Sequence, residues 1–245
     1  QKRDIQFEHL TVEEGLTSNT IFSIIQDSRG FLWIGTYDGL NRYDGYEFKV
    51  YKNVPEDSTS ISDNMIRVLH EDKYGNIWIG CGWGGGLNKF ERATEKFTRY
   101  LYNPNNPASI SSDNIYSIYS DKSGNLWIGT NGGGLNYFDL ETEKFHHYKA
   151  DQNDPHSLSS NSVSAVYVDR NGILWVGTSS SGLNKFDQQK KQFTHYKASD
   201  DPSTISGNNI SSIYENTAGL LWIGTRDGGF NKFDPYSGKF QHYTY

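Results

Sequence analysis

The chain has 245 residues, and 29 acidic against 23 basic side chains leave a formal net charge of −6. That balance argues against a nucleic-acid partner, whose phosphates require a basic face, and equally against an anionic membrane surface. Cys81 is the only cysteine, so an intrachain disulfide is excluded. No apolar run approaches the ~20 residues of a membrane span.

Taken from the N-terminus, the chain shows no signal-peptide pattern. Gln1-Lys2-Arg3-Asp4 runs almost directly into residues 5–11, where apolar and polar side chains alternate. That alternation predicts a half-buried strand. Such a start suits a mature or trimmed chain, and it suits a cytoplasmic protein as well.

From about residue 16 one unit recurs five times. Its centre is a Trp between apolar residues, closed by Gly: Leu32-Trp33-Ile34-Gly35, Ile77-Trp78-Ile79-Gly80, Leu126-Trp127-Ile128-Gly129, Leu174-Trp175-Val176-Gly177 and Leu221-Trp222-Ile223-Gly224. The steps between these Trp residues are 45, 49, 48 and 47 residues. A constant period of this size marks a repeat architecture. The repeats span about 16–60, 61–109, 110–157, 158–204 and 205–245 and account for one domain, 1–245.

Each repeat predicts four strands. The first covers Ile21–Gln26, Ile66–Glu71, Ile115–Ser120, Val163–Val168 and Ile210–Glu215 in the successive copies. A polar turn such as Asp27-Ser28-Arg29-Gly30 leads to the second, Trp-bearing strand. A glycine-rich turn leads to the third, and a further turn to the fourth, the Phe-x-x-Tyr segment of Phe97–Tyr100 and Phe145–Tyr148. A longer loop rich in Asp, Asn, Pro and Ser crosses to the next copy. These are turn chemistries rather than helix starts. With no sustained period of 3.6, almost no helix is expected.

Four short antiparallel strands at this period predict an all-β fold, a β-propeller. The first strands would line the channel and the fourth strands the rim. Trp33, Trp78, Trp127, Trp175 and Trp222 would pack between blades. Asn41, Asn88, Asn136, Asn184 and Asn231 recur in the third strand, and a buried amide tied to nearby backbone accounts for them. The loop residues Asn19, Asn64, Asn114, Asn161 and Asn209 are read as a similar scaffold feature.

The strings Gly-Asn-Leu-Trp-Ile-Gly-Thr (124–130) and Gly-Gly-Gly-Leu-Asn-Tyr-Phe-Asp (132–139) resemble the two-component regulator propeller repeat. The resemblance covers all five copies. It implies the periplasmic sensor region of a membrane histidine kinase, including hybrid kinases that respond to polysaccharides. The implied location is periplasmic or extracellular. The implied role is a non-catalytic sensor or ligand-binding domain, with an oligosaccharide as ligand and a homodimer mate or adjacent sensor domains as partners. Such sensors usually carry more repeats, in seven-bladed propellers. Here residues 239–245 already give the fifth copy a fourth strand, so residues 5–11 compete with it or add outside. That redundancy suits a chain cut from a longer array. Five blades can also close by themselves, and a closed five-bladed ring is the expectation.

Residues that differ between copies on the loop face are the binding candidates, because the scaffold does not require them. In the turns after the second strands these are Tyr37, Asp38, Trp83, Asn131, Ser179, Arg226 and Asp227. Trp83 is bracketed by glycines and offers a face for a sugar ring; the alternative is an indole folded over the neighbouring blade. Arg226 suits a carboxylate or hydroxyl, or is a solvated charge. His9, His147, His195 and His242 share a rim register too dispersed for a metal site, and no metal or cofactor is expected.

Three further patterns are set aside. Gly80-Cys81-Gly82-Trp83-Gly84-Gly85 matches a dinucleotide fingerprint by letter, but a strand rather than a helix follows. Asn209-Ile210-Ser211 is a chance glycosylation triplet. The carboxylate pairs Glu13-Glu14, Glu56-Asp57 and Asp200-Asp201 sit in polar loops. A protein-interaction scaffold is the alternative function. A propeller lyase is the third; it would need His near the loops, where the chain offers His156, with His70 on a first strand.

Overall fold

The computed structural model describes residues 7–243. Blade 1 holds β1 (Ile21–Gln26), β2 (Leu32–Thr36), β3 (Gly39–Tyr43) and β4 (Phe48–Tyr51). Blade 2 holds β5 (Ile66–Glu71), β6 (Ile77–Cys81), β7 (Leu87–Glu91) and β8 (Lys96–Tyr100). Blade 3 holds β9 (Ile115–Ser120), β10 (Leu126–Thr130), β11 (Leu135–Asp139) and β12 (Lys144–Tyr148). Blade 4 holds β13 (Val163–Val168), β14 (Leu174–Thr178), β15 (Leu183–Asp187) and β16 (Gln192–Tyr196). Blade 5 holds β17 (Ile210–Glu215), β18 (Leu221–Thr225), β19 (Gly229–Asp234) and β20 (Lys239–Tyr243). Within each blade the strands pair in chain order, all antiparallel. The five inner strands cover the residues that the sequence predicts. The only helical turn among the described residues is a 3-10 turn at Val12–Glu14.

The expected strand over residues 5–11 does not form at residues 7–11; residues 5 and 6 lie outside the described residues. Thr11 instead caps the 3-10 turn. Its hydroxyl accepts from the Glu13 amide at 3.1 Å, and its own amide donates to Glu14 Oε2 at 2.7 Å. This reciprocal capping satisfies amides that a strand would have needed a neighbour to satisfy.

Successive inner strands pack side by side, β1 on β5, β5 on β9, β9 on β13 and β13 on β17. Between blades the indoles carry the contact. Trp33 lies 5.0 Å from Phe90, Trp78 5.7 Å from Phe138, Trp127 5.7 Å from Phe186 and Trp175 5.4 Å from Phe233, in edge-on geometry. All four indoles are buried. In blades 1 to 4 the Gly that closes the second strand makes room for the next blade. A Cβ on Gly35, Gly80 or Gly177 would fall 2.7, 2.5 and 2.5 Å from Ile66, Ile115 and Ile210. No real Cβ sits that close, so the repeated Gly is a packing requirement.

Polar groups inside the blades are paired. The indole N–H of Trp33, Trp78 and Trp175 donates to Asp27, Asp72 and Asp169 at 2.8, 2.8 and 2.9 Å. Burial raises the Asp27 carboxyl, but hydrogen bonds from Trp33, Arg92 and the amides of Arg29 and Phe31 outweigh it and hold the group below its ordinary value. Blade 3 departs from this pattern. Tyr137 lies tilted against Trp127 at 4.6 Å and donates its hydroxyl to Asp121 at 3.4 Å, and Trp127 Nε1 is buried without a partner.

The ring is not closed. β17 does not pack on β1 as each earlier inner strand packs on the next. Blade 1 leaves Ile21 and Ile24 exposed on its leading face, where Ile66 and Leu69 are buried in blade 2. Blade 5 leaves Tyr214, Phe230 and Tyr243 exposed on its trailing face. Phe230 is 59 % exposed, whereas Leu40, Leu87, Leu135 and Leu183 at the same register are 0 %. The five blades therefore form an open arc. Closure would need the fifth blade to pack on the first, and the exposed faces of both show that it does not.

Candidate functional site

In a four-stranded meander the second-to-third turns and the crossings between blades meet at one end. Two sets of hydrogen bonds fix that end. The threonines ending β2, β10, β14 and β18 donate their hydroxyls to Gly39, Gly134, Gly182 and Gly229 carbonyls at 3.0, 2.8, 2.9 and 2.9 Å. The first residue of each turn then donates its amide to the residue just before the inner strand. Tyr37 binds Thr20 at 3.0 Å, Gly82 binds Met65 at 3.0 Å and Asn131 binds Asn114 at 2.9 Å. Ser179 binds Ser162 at 3.0 Å and Arg226 binds Asn209 at 2.9 Å. Main-chain bonds thus fix five equivalent turn positions, whose identity is free to vary: Tyr, Gly, Asn, Ser, Arg.

The crossings are tied down from the third strand. Asn41, Asn88, Asn136, Asn184 and Asn231 are fully buried. Their Oδ1 atoms accept the amides of Thr17, Ser62, Ser111, Ser159 and Ser206 at 2.8–3.1 Å. The loop position that receives an amide from the incoming crossing is Asn64, Asp113, Asn161 and Asn208. Asn114 and Asn209 are therefore one residue out of the register that the sequence suggested; the adjacent Asp113-Asn114 and Asn208-Asn209 pairs make the alignment ambiguous by eye. At the rim, His147 and His195 donate Nε2–H to the carbonyls of Ser109 and Ser157, each at 2.8 Å, and His242 does so to Thr204.

A cavity of about 320 Å³ opens at the channel mouth. Three of the sequence candidates line it: Asn131, Ser179 and Arg226. The remaining wall comes from Arg67, Tyr116, Ser164 and Ser211, each the second residue of its inner strand, with Asn209 and Ile210. Sequence reasoning passed over these four. The signal that marks the turn residues also marks this position, which is Phe22, Arg67 and Tyr116 in the first three copies and Ser in the last two, Ser164 and Ser211.

The other candidates lie apart from the cavity. Trp83 is 66 % exposed and meets Tyr37 edge-on at 5.3 Å, so the two form an aromatic pair over the blade 1–2 junction. Asp38 pairs with Lys52 at 2.7 Å and accepts from Asn64 Nδ2 at 3.3 Å. Asp227 accepts the amides of Asn208 and Asn209, both at 3.2 Å. These two carboxylates bind the turn to the crossing.

Groups of nucleophilic or acid–base character sit elsewhere. Cys81 is fully buried, and burial pushes its thiol up to about 12, which keeps it neutral. His70 is held below the ordinary imidazole value by burial, with Ser120 Oγ 2.9 Å from its Nε2. His156 lies in a crossing, its amide bonded to Asp154 at 2.9 Å. No helix among the described residues is long and apolar enough to cross a membrane.

This array of blades, with its Trp-and-Gly packing and variable mouth, defines a repeat propeller. Five stretches, residues 15–38, 60–83, 109–132, 157–180 and 204–227, match the two component regulator propeller family, and the chain belongs to that repeat family. Over 62 residues it is 50% identical to histidine kinase P4 of Formosa agariphila, a match covering 25% of this chain and 4% of that kinase. It also superposes on the extracellular domain of a hybrid two-component system from B. thetaiotaomicron. There the TM-score is 0.85 with 32% identity, over 96% of this chain and 31% of that one. The chain thus spans about a third of that extracellular domain. Virginiamycin B lyase from Staphylococcus aureus superposes with a TM-score of 0.69 at 15% identity, over 92% of this chain and 70% of the lyase, a likeness of fold alone.

Proposed function

We propose that the chain is a non-catalytic, extracytoplasmic sensor segment of a two-component signalling protein, and that it recognises an oligosaccharide at the channel mouth. The observation that carries this reading is the 32% identity, across 96% of the chain, with the extracellular domain of a hybrid two-component system. The mouth supports it: a rigid main-chain frame presents variable polar side chains, the arrangement by which binding sites are built on repeat scaffolds. Among the described residues the cavity wall contains no histidine or carboxylate, the side chains that most often serve a lyase as general acid and base. A signal would arise from unequal ligand affinity for two packings of the segment against a neighbouring domain or a dimer mate.

The test is calorimetric titration of an oligosaccharide panel into the protein and into Ser179→Trp, which fills the cavity. The reading expects at least one oligosaccharide to bind and the Trp variant to abolish binding. Binding indifferent to Ser179→Trp, or no binding across the panel, would overturn it. The exposed apolar faces of blades 1 and 5 favour a second reading, a protein-interaction scaffold, for which those faces rather than the mouth would be the contact surface.

A further inference from the structure

Resting on the mouth as ligand site, we propose that the cavity selects an anionic group, a carboxylate or a sulfate ester, which Arg67 and Arg226 clamp together. The two arginines come from blades 2 and 5 and line the same cavity. Its wall holds no Asp or Glu, although the chain as a whole has 29 acidic and 23 basic residues. Among the described residues neither guanidinium donates a hydrogen bond or forms an ion pair. Arg92, by contrast, binds Asp27 and Glu71 at 2.7 and 2.9 Å, and Arg170 binds Glu215 at 2.6 Å.

Arg67 is also held in readiness. Its guanidinium carbon lies 4.5 Å from the Tyr116 ring centroid and 5.4 Å from that of Phe22. Both rings turn their faces to the cation, which is attracted to the π cloud. A guanidinium keeps its N–H donors in its own plane, and an oxyanion accepts two of them at once. Two like charges on one cavity repel each other until an anion sits between them. A neutral sugar would satisfy Asn131 and Ser179 but leave both guanidiniums without a counter-charge.

The experiment follows the arginine Nε–H resonances of the full chain by NMR while D-galacturonate, inorganic sulfate or glucose is added. One of the two anions is expected to shift the Arg67 and Arg226 signals along a saturable curve that weakens about tenfold or more in Arg67→Gln and in Arg226→Gln. Arg67→Lys keeps the charge without the fork and is expected to recover part of the loss. The anion that saturates first assigns carboxylate or sulfate; glucose leaves the signals in place. Equal shifts at the solvent-facing Arg29, or no shift with either anion, would overturn the clamp. An oligosaccharide whose binding is blocked by Ser179→Trp but unchanged in both Gln variants would remove the anionic selection while leaving the mouth as the ligand site.

Discussion

Trp78 and Trp127 occupy one register in adjacent blades and differ in a single bond. Trp78 Nε1 donates to Asp72 Oδ2 at 2.8 Å, with both residues buried. Trp127 Nε1 has no partner, because Tyr137 takes the carboxylate that would receive it. Trp78→Phe removes a hydrogen bond to a charged group, worth about 1.5–3 kcal/mol, and also loses packing against Phe138 at 5.7 Å. Trp127→Phe loses similar packing against Phe186 but also removes an unsatisfied donor, whose burial costs about 1–3 kcal/mol. The first variant is therefore expected to lose about 2.5–6 kcal/mol more than the second. Urea unfolding, followed by the fluorescence of the remaining indoles, reads this as a difference in midpoint at constant slope. Equal midpoints for the two variants would refute the hydrogen-bond assignment in both blades.

The open arc makes its own predictions. Leu183→Ala, in a fully buried position, should cost about 2–5 kcal/mol, whereas Phe230→Ser at the same register of blade 5 should stay within about 1 kcal/mol. Comparable losses in the two urea midpoints would mean that another surface covers the trailing face. Gly177→Ala would push a methyl to 2.5 Å from Ile210, and overpacking of that kind costs about 1–3 kcal/mol. At Gly224 the nearest atoms are the movable hydroxyls of Ser212 and Ser211, so Gly224→Ala should lower the melting temperature less. His70 is kept below its ordinary value of 6.5, first by burial, with Asp72 and Glu71 opposing. The unfolded chain then takes up that proton more readily than the fold, so stability should decline as pH falls below about 6.5. His70→Gln should flatten that part of the pH–stability profile; an unchanged slope would remove His70 as its source.

The inner strands were legible because their apolar runs and polar turns recur in step, and five copies average out local ambiguity. The Trp-to-blade packing was legible for the same reason in blades 1 to 4, whereas Trp222, with no following blade, is half-buried and meets Tyr243 of its own blade. Closure was not: it depends on whether the faces of blades 1 and 5 meet, and no motif inside a repeat encodes the pitch at which blades turn. Residues 7–11 misled because alternation alone looks the same whether or not a partner strand is there to pair with. At the mouth, Asn131, Ser179 and Arg226 stood out as differences between copies. Arg67 did not, because inner-strand positions are easily assigned to the scaffold, and only the geometry shows that the second residues of β5, β9, β13 and β17 line the cavity. The pairing of Asp38 with Lys52, and of Asp227 with two amides, depends on neighbours 14 to 19 residues away.

Blades 1 and 5 each lean on one neighbour where the middle three lean on two. In a stacked array that difference localises fraying, so the fifth sheet should exchange its amide hydrogens sooner than the third. Arg226 rides on that loosely tethered sheet, while Arg67 stands on an interior one. Whatever spans the two would stitch a wavering end to a fixed middle, and occupancy of the mouth would then be felt along the whole array as stiffness.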